Sequence, residues 1–285
     1  MNINQDCVTC ILGQVDKTLR LLNPNEEITK KIQKQALEMS KSFSFSHTPP
    51  WGAREVYEMI AQETGLEDPL EVVKQESIKL ATSLLPEVYE ALQQSSDPLF
   101  AAIKASAAGN VIDFGAKEQF DLEEEVAKVF DTPFAVDAYE AFRLALSKSD
   151  SLLVLADNSG ENVFDKVLLE TLKTLFPDLQ LYYATRGKAI INDITTKEAY
   201  QIGIDKVATI LDTGVDTPGL VTERASQDFL NFYNQAPLVL AKGMGNYECL
   251  EDGNRDLFFL FKVKCNVVAN SINQEVGSLI FSHKS

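Results

Sequence analysis

From Asp6 to about Ala108, apolar residues recur every three or four positions, as in Val8, Ile11, Leu12, Val15 and Leu19. That spacing lays one stripe along a helix and predicts a helical N-terminal part. Asn23-Pro24, Asp68-Pro69 and Asp97-Pro98 each place a capping side chain before a proline, whose missing N–H costs nothing in a first turn. Each pair predicts a helix start. Residues 42–52, which include His47, Pro49, Pro50 and Trp51, break the period and read as an exposed connector, or else as a segment lying over a pocket.

After about residue 150 the pattern changes to short apolar runs alternating with amphipathic stretches. Strands are predicted at 152–156, 179–185, 207–211, 237–241 and 257–263, with helices at 161–175 and 222–233. Runs such as Leu152-Leu153-Val154-Leu155-Ala156 are apolar throughout, as strands of a parallel sheet covered on both faces should be. The fold expected is α/β: an open, mainly parallel sheet at residues 111–285, with a helical N-terminal subdomain at 1–110 packed on it.

Composition narrows the function. The chain has 285 residues, 45% of them hydrophobic, enough for a substantial core, and a formal charge of −16. An acidic surface of this size repels polyanions, which disfavours nucleic acid or an acidic membrane as the partner. No leader-like N-terminus and no uncharged apolar run near about 18 residues is present, so a cytoplasmic protein is expected. The two histidines, His47 and His283, are far apart in sequence, which points the chemistry toward carboxylates and amides.

In an open parallel sheet, ligands bind beyond the carboxyl ends of the strands. Three polar motifs fall there: Asp157-Asn158-Ser159-Gly160-Glu161, Arg186-Gly187-Lys188 leading to Asn192-Asp193, and Lys242-Gly243-Met244-Gly245-Asn246-Tyr247-Glu248. Taken singly, each reads as a helix cap or a glycine turn. Their coincidence at one sheet edge favours a site. Asp157, the side-chain oxygen of Asn158 and Asp193 are hard donors suited to a divalent ion such as Mg²⁺ or Mn²⁺, with Co²⁺ and Ni²⁺ as further candidates. Ser159 and Gly160 would aim backbone amides at an anion as a helix begins, and Lys242, beside Gly243, would add a cation. Metal, amides and ammonium together suit a phosphoryl group attacked by water.

Other segments stay open. Gly109-Asn110 ends a helix or, with Asp113, walls the pocket. Cys7 and Cys10 share a helix face and, with Cys265, either hold a second metal or are buried reduced thiols. Gly243-Met244-Gly245 lacks the third small residue of a dinucleotide fingerprint, because Glu248 stands there. A Walker phosphate loop and an Asp-x-Asp nucleophile are both absent. A methyltransferase using S-adenosylmethionine and a non-catalytic metal-binding module are the alternatives.

The ordered set AGNVIDFG, LADNSGEN, RGKAIINDIT and KGMGNYE, with CVTC near the start, closely resembles the damage-control phosphatases, once called domain of unknown function eighty-nine. The resemblance spans nearly the whole chain. It implies a Rossmann-like three-layer α/β/α core and divalent-metal-dependent hydrolysis of small phosphorylated metabolites. By motif it implies Asp157, Asn158 and Asp193 as metal ligands, Lys242 as the phosphate lysine, and Glu161, Asn110 and Asp113 as pocket residues. Gly160 and Glu161 are adjacent, as in the compact prokaryotic branch that carries the CxxC, whereas longer eukaryotic relatives insert a residue there.

Overall fold

The computed structural model describes residues 1–109 and 128–285. Its N-terminal helices are α1 (Gln5–Leu22), α2 (Glu26–Ser40), α3 (Pro49–Thr64), α4 (Glu71–Ser83), α5 (Leu85–Gln94) and α6 (Pro98–Ala108). Capping chemistry sets several starts: Asn4 and Asn25 accept backbone N–H groups of α1 and α2, and Asp97 accepts Phe100 N at 3.0 Å. Such caps are worth about 1 kcal/mol each. Asp97 thus acts as its sequence suggests. Asn23, however, closes α1 in the left-handed region, φ 44°, and Asn25 starts α2 instead. Asp68 organises the turn before α4, accepting Leu70 N at 3.1 Å and pairing with Lys74 at 2.8 Å.

Among the described residues, the C-terminal part holds seven strands in one sheet: β1 (Val136–Asp137), β2 (Ser151–Leu155), β3 (Gln180–Thr185), β4 (Thr209–Asp212), β5 (Val239–Lys242), β6 (Leu257–Lys262) and β7 (Leu279–Lys284). Their order is β1-β7-β6-β5-β2-β3-β4. All neighbours are parallel except β6 and β7, which are antiparallel. The helices of this part are α7 (Tyr139–Leu146), α8 (Glu161–Leu175), α9 (Thr196–Gln201), α10 (Gln227–Gln235), α11 (Gly243–Leu250) and α12 (Asn266–Ile272). The predicted helix at 222–233 divides into a short 3-10 turn, Thr222–Arg224, followed by α10.

The central strands β2, β5 and β6 bury both faces. Leu152 and Val154 join one core with α4–α6, α7 and α8, while Leu153 and Leu155 join the core beneath α10–α12. This is the three-layer α/β/α arrangement, and the helices of residues 71–108 share its core. Helices α1–α3 enclose a third core that includes Val15, Ile32, Val56 and Ile60. No helix of the described residues is long and apolar enough to cross a membrane.

Candidate functional site

The chain runs outward from β2 to β3 and β4, then returns to place β5 on the other side of β2. The loops after β2 and β5 therefore diverge, leaving the crevice where open α/β sheets bind ligands. Asp157 follows β2, and Gly243 follows β5. Residues 190–195 fold back from β3 and pair with the segment after β2: Ser159 N donates to Asn192 O at 2.8 Å and Ile194 N to Asp157 O at 2.9 Å. An isolated bridge between Asn158 and Asp193 completes the pairing. Backbone hydrogen bonds thus bring the two aspartates together. At the loop tip Ile191 is held at φ 47°, a strained conformation for a β-branched residue.

Arg186, itself buried, lies between the aspartates. Its Nε donates to Asp193 Oδ2 at 2.7 Å, Nη2 lies 3.8 Å from Asp157 Oδ1, and Nη1 donates to Asn246 Oδ1 at 3.3 Å. The Asn158 amide nitrogen donates to Asp157 Oδ2 and to Glu161 Oε1, each at 2.9 Å. Behind them Lys242 Nζ pairs with Asp165 Oδ1 at 2.6 Å, donates to Ser106 O at 3.1 Å and lies 3.7 Å from Glu161 Oε2. Ser106 Oγ and Tyr183 Oη also donate to Asp165, at 2.6 and 2.8 Å.

Burial, reinforced by the charge of Asp193, pushes the Asp157 carboxyl up to about 7. Burial and then Asp157 push Glu161 up to about 8. Asp193 is also raised by burial, against the opposing pull of Arg186. Burial alone would lower Lys242, but Asp165 and Glu161 outweigh it and hold the ammonium charged. The cluster contains four buried carboxylates, Asp157, Glu161, Asp165 and Asp193, against two buried cations, Arg186 and Lys242. Fully ionised, the four would leave two uncompensated negative charges in a low-dielectric site, which is the crowding that raises Asp157 and Glu161 and that a divalent cation would relieve.

The donor set fits such an ion. Among the described residues, Asp157 Oδ1, Asp193 Oδ1 and the Asn158 side-chain oxygen accept no hydrogen bond. No three His, Cys, Asp or Glu side chains of the described residues are grouped to hold a metal alone. The amide oxygen and oxygens from water or substrate would complete the shell, as is usual for Mg²⁺-type ions.

Asp157, Asn158 and Asp193 open onto a cavity of about 580 Å³ between this sheet edge and helices α1 and α3. Several expectations are corrected here. Residues 42–52 are not a plain exposed connector, because α3 begins at Pro49, and Pro49 and Pro50 are buried against the cavity. Neither Asp157 nor Asn158 caps α8, whose N-cap is Gly160 at φ 98°. The Gly160 amide is taken by Asn162 Oδ1 at 2.8 Å and that of Ser159 by Asn192 O, so neither points at an anion. Asp193 does not cap α9 either, since Thr195 and Glu198 form its capping box. Ser159, Gly160, Glu161, Lys242 and Gly243 lie behind the cavity wall rather than on it.

Lys242 is instead engaged by Asp165, Ser106 and Glu161 and is not among the residues that line this cavity. The lysines on the wall are Lys17 and Lys264. Gly243 acts by closeness instead: at φ 79° it leaves no room for a Cβ, which would lie 1.9 Å from Asp157 Oδ2. Cys7, Cys10 and Cys265 do line the cavity, as free thiols. Burial pushes Cys7 and Cys10 up, which favours the thiol form. Asn110 and Asp113 lie outside the described residues. Sequence reasoning named Arg186 and Glu248 within the polar motifs without giving either a role at the site, and it missed Lys264.

A Rossmann-like α/β fold with a buried acidic cluster at its switch point defines the class. The chain belongs to the damage-control phosphatase ARMT1-like domain family, whose model matches residues 3–280. It is 31% identical to an uncharacterized protein of Methanocaldococcus jannaschii over 97% of this chain and 94% of that protein. It is 26% identical to a damage-control phosphatase of Pyrococcus horikoshii over 98% of this chain and 97% of that one. The crystal structure of a DUF89 family protein from Pyrococcus horikoshii superposes with a TM-score of 0.91, at 26% identity and over 100% of both chains.

Proposed function

We propose that this protein is a divalent-metal-dependent phosphatase of small phosphorylated metabolites, acting in the cytoplasm, with Mn²⁺, Co²⁺, Ni²⁺ or Mg²⁺ held by Asp157, Asn158 and Asp193. The observation that carries this reading is the pair of buried carboxyl groups, Asp157 and Asp193, that face, together with Asn158, a cavity large enough for a small phosphomonoester. The phosphatase names of full-length relatives support it. When bound, the cation supplies positive charge for the phosphoryl oxygens and acidifies water.

The protein's own residues do the rest. Arg186 fixes Asp193, and the Asn158 amide fixes Asp157 and Glu161, so the ligand oxygens are oriented before substrate arrives. Lys242 and Asp165 neutralise each other beneath and hold Glu161 in place. Lys264 and Lys17 bring positive charge to the wall, where an anionic substrate enters.

The test is phosphate release from sugar phosphates and p-nitrophenyl phosphate with each of the four ions, followed by chelation. Release that depends on the ion and stops with chelator supports the reading. Release that is indifferent to chelator contradicts the metal. Methyl transfer from S-adenosylmethionine, or ion binding with no turnover of any phosphomonoester, contradicts the phosphatase.

A further inference from the structure

The face of α11 toward the cavity carries Met244, Gly245 and Glu248, which the three- and four-residue helical spacing places together. The start of this helix is pressed against the site: a Cβ on Gly243 would overlap Asp157, and one on Gly245 would lie 2.0 Å from Pro218 O. Glu248 is 8% exposed, yet neither carboxyl oxygen makes a hydrogen bond or ion pair among the described residues. Its backbone oxygen, not its carboxyl, accepts the amino group of Met1 at 3.0 Å, and Glu248 is among the residues that line the cavity. A buried carboxyl without a partner is costly unless it is protonated or meets a ligand. Burial, then the nearby charge of Asp157, push it up to about 8 against the Met1 ammonium, so it holds a proton at neutral pH.

We infer that Glu248 is the acid that protonates the leaving alcohol during phosphomonoester hydrolysis. This rests on the phosphatase reading above. Water oxygen bonds to phosphorus as the bond from phosphorus to the ester oxygen breaks. The electron pair of that bond stays on the ester oxygen, which takes the Glu248 proton and departs as neutral alcohol. The proton shed by the attacking water restores Glu248, so the products are alcohol and phosphate.

The experiment compares n-butyl phosphate, a poor leaving group, with p-nitrophenyl phosphate, whose phenolate departs without a proton. Wild type, Glu248→Gln and Glu248→Asp are assayed with Mn²⁺. The expected result is a fall in kcat of about 100-fold or more for butyl phosphate in Glu248→Gln, with p-nitrophenyl phosphate within about threefold of wild type. Glu248→Asp, which keeps an acid, should recover part of the butyl phosphate rate. Equal losses on both substrates, or no loss on butyl phosphate, overturn the assignment. Failure of wild type to hydrolyse either ester overturns the phosphatase reading itself, and the inference with it.

Discussion

Arg186 donates its Nε to Asp193 Oδ2 at 2.7 Å with both side chains buried, and its Nη2 has no hydrogen-bond partner among the described residues. A guanidinium in this position keeps the aspartates together before any cation binds. Arg186→Met keeps the bulk but strands Asp193 and Asp157. The expected cost, measured by urea unfolding in chelator, is about 3 kcal/mol or more, as when one partner of a buried pair is removed. A change under about 1 kcal/mol contradicts the role assigned to Arg186.

Gly243 marks how tightly β5 approaches β2. A Cβ there would lie 1.9 Å from Asp157 Oδ2, and φ 79° is itself unfavourable for alanine. Gly243→Ala should displace the Asp157 carboxylate and weaken Mn²⁺ binding about 10- to 100-fold by calorimetry, the usual effect of disturbing a ligand's support. Unchanged affinity would show that the carboxylate does not depend on this contact.

The buried strands were legible because both faces of β2, β3 and β5 are covered, so each reads as an unbroken apolar run. β1 has two residues, and β7 passes after Phe281 into Ser282, His283 and Lys284, so neither shows that signal. Asp157, Asn158 and Asp193 were readable from their place after strands. The pairing of Lys242 with Asp165 was not read, because position at a strand end does not say which layer a side chain enters. Alternation carried the missing information: Leu240 joins the core beneath α6 and α8, so Lys242, two residues on, points there too, toward Ser106 and Asp165. The contribution of α1 and α3 to the cavity is a matter of tertiary packing that no local pattern reports.

Asp216 ties α3 to the loop after β4, accepting Arg54 Nε at 3.0 Å and Arg224 Nη2 at 2.7 Å. Partial burial alone would raise its carboxyl, but the two guanidiniums outweigh that and hold it down at about 2. Because the folded state depresses this group, the unfolded chain binds the proton more readily. The stabilisation is therefore present above about pH 4 and lost as pH falls toward 2. The group is partly exposed, so Asp216→Asn should cost about 1 kcal/mol at pH 7 after discounting for solvent screening. Urea unfolding of both proteins across this range should show the gap closing on acidification. A constant gap contradicts the pairing.

The account rests on Asp157 and Asp193 sharing one divalent cation. Alanine at either position should abolish metal-dependent turnover, with circular dichroism showing the fold intact. The most direct measurement is anomalous diffraction from crystals grown with Mn²⁺, which is predicted to show one peak in contact with both carboxylates and with the Asn158 side-chain oxygen. A peak elsewhere alone, or none at saturating Mn²⁺, would contradict it.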